Sequence, residues 1–263
     1  MAGKQVSPAV VRALNILEAI SQRPGGITNA HISRRLGIPK SSASAILQVL
    51  QDRGYVCRYA DGGRYKLGAN LLALGEKVLE TSDIHDLAIP FMRKLTVQTD
   101  LTCHLAVLGR SAIVHLGKVV AQRHRTRGML RSIGECVPLY STSVGKAILA
   151  WQPRPILESL LRRTELPRFT PRTIGTINGL AAELELVRNQ GYAVDDEEWR
   201  MGWRCVGAPI FDSFGNTIMA ICLVGSVGDI VDDMLPSIAP SVKETAQRIS
   251  RQIIKENVHF ASY

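Results

Sequence analysis

The chain has 263 residues, 46% hydrophobic and 21% charged, which excludes global disorder and allows two domains with a core each. Its formal charge of +9 is uneven: residues 1–80 carry 11 Lys and Arg against 5 Asp and Glu, so most of the basic excess sits in less than a third of the chain. Five scattered cysteines without a CxxC pair (Cys57, Cys103, Cys136, Cys205, Cys222) argue against a disulfide framework or a zinc site.

In chain order, the apolar positions Val10, Val11, Leu14, Ile16, Leu17 and Ile20 predict a first helix over 8–21, ended by Arg23-Pro24-Gly25-Gly26. A short amphipathic helix over 28–36 follows, opened by Thr28 as a cap and broken by Gly37-Ile38-Pro39. Lys40 to Leu50 is the next helix, with Pro39 near its first turn and Gly54 beyond its end. Residues 55–59 and 64–67 flank Asp61-Gly62-Gly63, a hairpin signal. Two helices joined by a short Gly-containing turn and followed by a basic hairpin describe a winged helix-turn-helix over 6–68, whose partner is double-stranded DNA. The buried stripe of the second helix is Ala43, Ile46, Leu47 and Leu50, which leaves Lys40, Ser41, Ser42, Ser44 and Gln48 outward. Gln can pair with adenine, Ser can reach base or phosphate, and Lys40 suits phosphate. Thr28, with Arg58, Arg64 and Lys66 on the hairpin, completes the candidate DNA-contact set, although edge-strand Lys and Arg also discourage aggregation.

Residues 69–81 read as a linker helix with no partner inside a finished winged helix, free to pack on its counterpart in a second protomer. From Ser82 the pattern becomes α+β, through residue 258. A helix from Ile84 to about Thr99 precedes a hairpin of 101–108 and 112–116 about Gly109-Arg110. Helices are expected at 143–150, 155–163 and 178–189, strands at 192–194, 206–211 and 217–224, and a closing helix at 240–255. Ser141, Thr142 and Ser143 stand before a helix, where side-chain oxygens and unpaired N–H groups suit a carboxylate, or simply cap the helix. The basic run Arg123-His124-Arg125-Thr126-Arg127, with Arg131 beyond, reads as a solvated loop. His104 and His115 fall in strand patterns without a partner at metal spacing and read as structural. The start of the chain lacks the apolar run of a signal peptide, and no stretch of about twenty apolar residues appears, so a cytoplasmic protein with no membrane association is expected.

Four blocks in order carry a resemblance over nearly the whole chain: Arg12 to Leu17 with Leu36 to Ser42, Arg53 to Val56 with Tyr65 to Gly68, Val137 to Ala150, and Gly191 to Glu198 with Gly202 to Asp212. With them the chain resembles the IclR-type bacterial transcriptional regulators. The resemblance implies a GAF-like effector domain after the linker helix, and homodimers or homotetramers on operator DNA. It also implies effector contacts from Tyr140, Ser143, Val144, Asp195, Cys205, Cys222 and Val224, with Met129 and Val137 as apolar walls. The wording around Tyr140 to Trp151 is similar to the branch that responds to sugar acids such as 2-keto-3-deoxygluconate. One departure is local: the long basic side chains that the family carries after Lys40-Ser41 are replaced by Ser44 and Ala45.

The expectation is therefore a DNA-binding repressor controlled by a small carboxylate, with carbohydrate-acid catabolism genes as targets. An activator of an aromatic-acid operon is the alternative. A thiol-dependent enzyme is remote, because no G-x-S-x-G, P-loop, dinucleotide fingerprint or HExxH occurs, and neither catalytic residues, cofactor nor metal are expected.

Overall fold

A computed structural model describes residues 7–59, 63–80, 83–109, 112–124, 133–163 and 166–258, and the chain divides into two compact units at 81/82. The first unit begins with helix α1 (Pro8–Ser21), strand β1 (Ile27–Thr28), helix α2 (Asn29–Leu36) and helix α3 (Lys40–Asp52). Strands β2 (Val56–Arg58) and β3 (Arg64–Leu67) and helix α4 (Ala69–Glu80) complete it. Thr28 caps α2 through its hydroxyl, which accepts the His31 N–H at 3.3 Å, and Gly37 ends the helix in the left-handed region at φ 63°. The resulting tight turn lets α2 and α3 share one core of Ile16, Ile20, Ile32, Ala43, Leu47, Leu50, Val56 and Tyr65. Ile27 is buried and extended, so Ile27–Thr28 pairs with β3 and the expected hairpin becomes a three-stranded sheet, β1-β3-β2. Gly68 joins β3 to α4 at a point where a Cβ would sit 2.1 Å from the Gly54 carbonyl oxygen, so only glycine passes.

The second unit runs α5 (Asp83–Thr99), β4 (Thr102–Leu108), β5 (Ile113–Val119), β6 (Cys136–Val137), α6 (Ser143–Leu149), α7 (Arg154–Arg163) and α8 (Ile177–Gln190). Strands β7 (Ala193–Asp196), β8 (Trp203–Phe211) and β9 (Thr217–Ser226) and helix α9 (Leu235–Glu256) follow. One antiparallel sheet of order β6-β5-β4-β9-β8-β7 carries a core on each face. Cys103, Leu105 and Val107 of β4 and Val206, Ala208 and Ile210 of β8 pack with α5 and α9. Ala106, Cys205, Cys222 and Val224 point the other way, toward α6 and α8. The mixed α and β architecture is the one expected from the sequence.

The closing helix begins five residues earlier than its sequence pattern predicts. Pro240 reads as a first-turn proline, but Pro236 already holds that position, and Ile238, Ala239 and Val242 are buried against the sheet. Apolar packing there outweighs the one helical hydrogen bond that Pro240 cannot donate.

Candidate functional site

The first unit presents the candidate nucleic-acid face. On α3, burial of Ala43, Leu47 and Leu50 turns Lys40, Ser41, Ser44 and Gln48 outward, all exposed; Ser42 is half-buried and accepts a hydrogen bond from Arg12 at 3.4 Å. Gln48 donates its amide to Asp52 at 2.8 Å, so it must leave that partner to reach a base. Thr28 is engaged as the cap of α2. On the hairpin, the register splits the three cations: Arg58 stands opposite Tyr65, whereas Arg64 and Lys66 fall on the other face. There the Lys66 ammonium lies 4.4 Å from the centre of the Tyr59 ring, and the Arg58 guanidinium lies 5.7 Å from that of Tyr65.

In the second unit, α6 lies across β7, β8 and β9. The turn before it is short of space: Gly145 approaches Leu139 so closely that a Cβ would meet its carbonyl oxygen at 2.0 Å. Thr142 is the cap, accepting the Gly145 N–H at 3.2 Å and donating to the Pro138 carbonyl at 2.8 Å. Its neighbours differ. The hydroxyls of Ser141 and Ser143 are buried and have no hydrogen-bond partner among the described residues, an arrangement that costs about 1–3 kcal/mol per group unless something else supplies the bond. Ser143 rests on Gly207 of β8, where a Cβ would come within 3.0–3.1 Å of its backbone and Oγ. Register then lines up the rest. Asp195 stands opposite Cys205, Cys205 opposite Val224, and Gly207 opposite Cys222. The structure thus brings Ser143, Asp195, Cys205, Cys222 and Val224 together, with Val137, Tyr140 and Val144 in the same buried cluster. Tyr140 contributes its ring; its hydroxyl donates to the Pro167 carbonyl, and burial pushes its pKa up to about 12. Met129 lies outside the described residues, as do Arg125, Thr126, Arg127 and Arg131.

Sequence reasoning missed the charges beneath this site. The Lys146 ammonium is buried, donating to Glu183 Oε1 at 2.8 Å and to Glu198 Oε1. Burial alone would lower its pKa, but the two glutamates outweigh it and raise it, so the group stays charged. Of the acidic residues 195–198, Asp195 and Glu198 are both buried. Asp195 Oδ1 accepts the backbone N–H groups of Glu198 at 2.9 Å and Trp199 at 3.4 Å. Burial first, then the charge of Glu198, pushes its pKa up to about 7 against the pull of Lys146 and the two N–H groups. No periodicity in a single sequence marks Lys146 as inward, because all of α6 is buried.

The folded pKa of Asp195 lies above that of the unfolded chain, so the folded state holds this proton more tightly. Its stabilising contribution is complete below about pH 4 and is lost as the pH rises through about 7. Asp195→Asn keeps the accepting oxygen and removes the titration. It is expected to gain on the order of a few kcal/mol relative to wild type between pH 5 and pH 8. Denaturant unfolding at the two pH values checks this, and an equal difference at both would overturn the assignment.

Comparisons with known proteins agree along the whole chain. Residues 9–58 match the family described as the IclR helix-turn-helix domain, and residues 76–251 match the one described as Bacterial transcriptional regulator IclR C-terminal. The HTH-type transcriptional regulator KdgR of Escherichia coli is 33% identical over 246 residues, 93% of this chain and 92% of that one. The transcriptional repressor IclR of the same organism is 28% identical over 244 residues, 92% of this chain and 88% of that one. The crystal structure of an IclR family transcriptional regulator from Brucella abortus superposes with a TM-score of 0.83 at 26% identity, covering 95% of this chain and 94% of that one. Among the described residues, no helix is long and apolar enough to cross a membrane and no cluster of side chains could hold a metal.

Proposed function

The chain belongs to the IclR family of transcriptional regulators, which are DNA-binding proteins and not enzymes, and from that premise we propose that it is a cytoplasmic repressor released or recruited by a small carboxylate. A sugar acid or keto acid is the ligand class, and genes of carbohydrate-acid catabolism are the targets. The observation that carries this reading is the pair of buried hydroxyls of Ser141 and Ser143, which find no hydrogen-bond partner among the described residues, with Ser143 lying over Gly207 on the sheet face of Asp195, Cys205 and Cys222: an acid's oxygens satisfy them, and a protonated Asp195 can donate to the same carboxylate. Likeness to KdgR and to the repressor IclR supports the same direction.

In this reading Lys40, Ser41, Ser42, Ser44 and Gln48 of α3 enter the major groove, while Arg64 and Lys66 hold phosphate. Thr28 and Arg58 border that surface. Two protomers occupy successive grooves of a near-palindromic operator, and the exposed Leu74 and Val78, one turn apart on α4, supply an apolar contact for pairing. The ligand acts by binding one arrangement of the protomers better than the other.

The test is binding of purified full-length protein to its own promoter region and to random DNA, with and without sugar, keto and aromatic acids, across a salt series. The expected result is preference for the promoter, a log–log salt slope of several units, and a change in affinity with one of the acids. No preference under any condition would overturn the reading.

A further inference from the structure

The face of the sheet that carries Cys205, Cys222 and Val224 continues beyond β9 into β4 and β5. In the first of these strands Cys103, Leu105 and Val107 belong to the opposite core, so the alternation turns His104 to the same side as Ala106. Register sets His104 directly opposite Cys222 on one side and Lys118 of β5 on the other. His115 stands opposite Ala106, and its ring meets that of His104 edge to face at 4.9 Å. Both imidazoles are buried, on a surface otherwise made of Ala106, Ile113, Val137 and Cys222. Reading across the sheet, Ser143 sits over Gly207, Cys222 is one strand away, and His104 is two strands away. Two strand spacings are about 10 Å, a gap that a five- or six-carbon chain bridges with a hydrogen bond of about 2.8 Å at each end.

We propose that His104 and His115, with Lys118 beside them, form the far end of the acid-binding site and select a ligand whose second oxygen function lies five or six carbons from its carboxylate. The inference rests on the carboxylate reading of Ser141 and Ser143 given above. Neutral imidazole offers one donor and one acceptor, and Lys118 adds a cation, so hydroxyl and carboxylate groups both suit this end. An apolar tail does not, because it offers these groups no hydrogen bond.

Four acids decide between the possibilities when thermal stabilisation of the full-length chain is measured: pyruvate is too short, hexanoate is long enough but apolar at its far end, and gluconate and adipate carry a distal hydroxyl and a distal carboxylate. Gluconate or adipate is expected to stabilise the protein at lower concentration than pyruvate or hexanoate. His104→Leu and His115→Leu are expected to weaken that acid roughly tenfold, leave pyruvate unchanged, and be partly rescued by His104→Gln. Hexanoate binding as well as the oxygenated acids, or folded leucine variants that keep the preference, would overturn the role of the histidines and leave the carboxylate site standing. Should a leucine variant fail to fold, the comparison of hexanoate with gluconate and adipate in the wild type decides alone. No stabilisation by any of the four would overturn both readings.

Discussion

Replacing Ser44 by glutamate is expected to abolish operator binding while leaving the fold intact. Ser44 is exposed and lies one turn from Ser41 and Gln48 on the outward face of α3, away from Ala43, Leu47 and Leu50. Glutamate is a good helix former and the position is wet, so stability should change by no more than about 0.5 kcal/mol. In the groove its carboxylate would face base acceptors and flanking phosphates without a counter-charge. A lost contact is worth about 1–3 kcal/mol and repulsion adds to it, so affinity should fall about 100-fold or more at low salt. Part of the deficit should close as salt rises, because the repulsive share is screened. Fluorescence anisotropy on promoter DNA, with a melting curve beside it, measures both. Wild-type affinity in the variant would show that another element reads the DNA.

Removing the buried cation Lys146 beneath the proposed acid site should have the largest effect on stability. Lys146→Met leaves Glu198 enclosed with its positive partner gone and with the like charges of Glu183 and Asp196 near it. Breaking a buried pair from one side costs about 3–5 kcal/mol. For a unit of this size that corresponds to a fall in Tm of about 10 °C. Adding Glu198→Gln to the same chain removes the stranded charge and should recover much of the loss, so the double variant must melt above the single one. Calorimetry of the three proteins checks the ordering; a single variant as stable as wild type would mean that the cluster contributes no net stability, its Coulomb gain offset by desolvation.

The winged helix was legible because its signals are local. Thr28, Gly37, Pro39 and Gly54 each impose a backbone requirement within a few residues, and the apolar spacing of α3 states which side is buried. The spacing of α1 marks the helix but not its buried side, since Ile16 and Ile20 are buried while Val10, Val11 and Leu14 are exposed. The third strand, Ile27–Thr28, was not legible, because two residues carry no period and pair only once β3 is beside them. The same limit applies to Cys136–Val137, which becomes a strand through Ile113 and Val114.

The proposed acid site divides along the same line. Residue order alone determined that small hydroxyl residues precede α6 and that α3 carries no long basic side chain at 44 or 45, and, through the resemblance, it named the strand positions expected to face an effector. Only the tertiary structure decided what those positions mean. Thr142 takes the cap and leaves Ser141 and Ser143 without partners among the described residues; Asp195 and Glu198 leave solvent; Lys146 enters a buried pair of glutamates; His104 and His115 meet across two strands. The physical reason is that burial and register are properties of paired strands and packed helices. A side chain's charge state and partners follow from what lies across the sheet, many residues away along the chain.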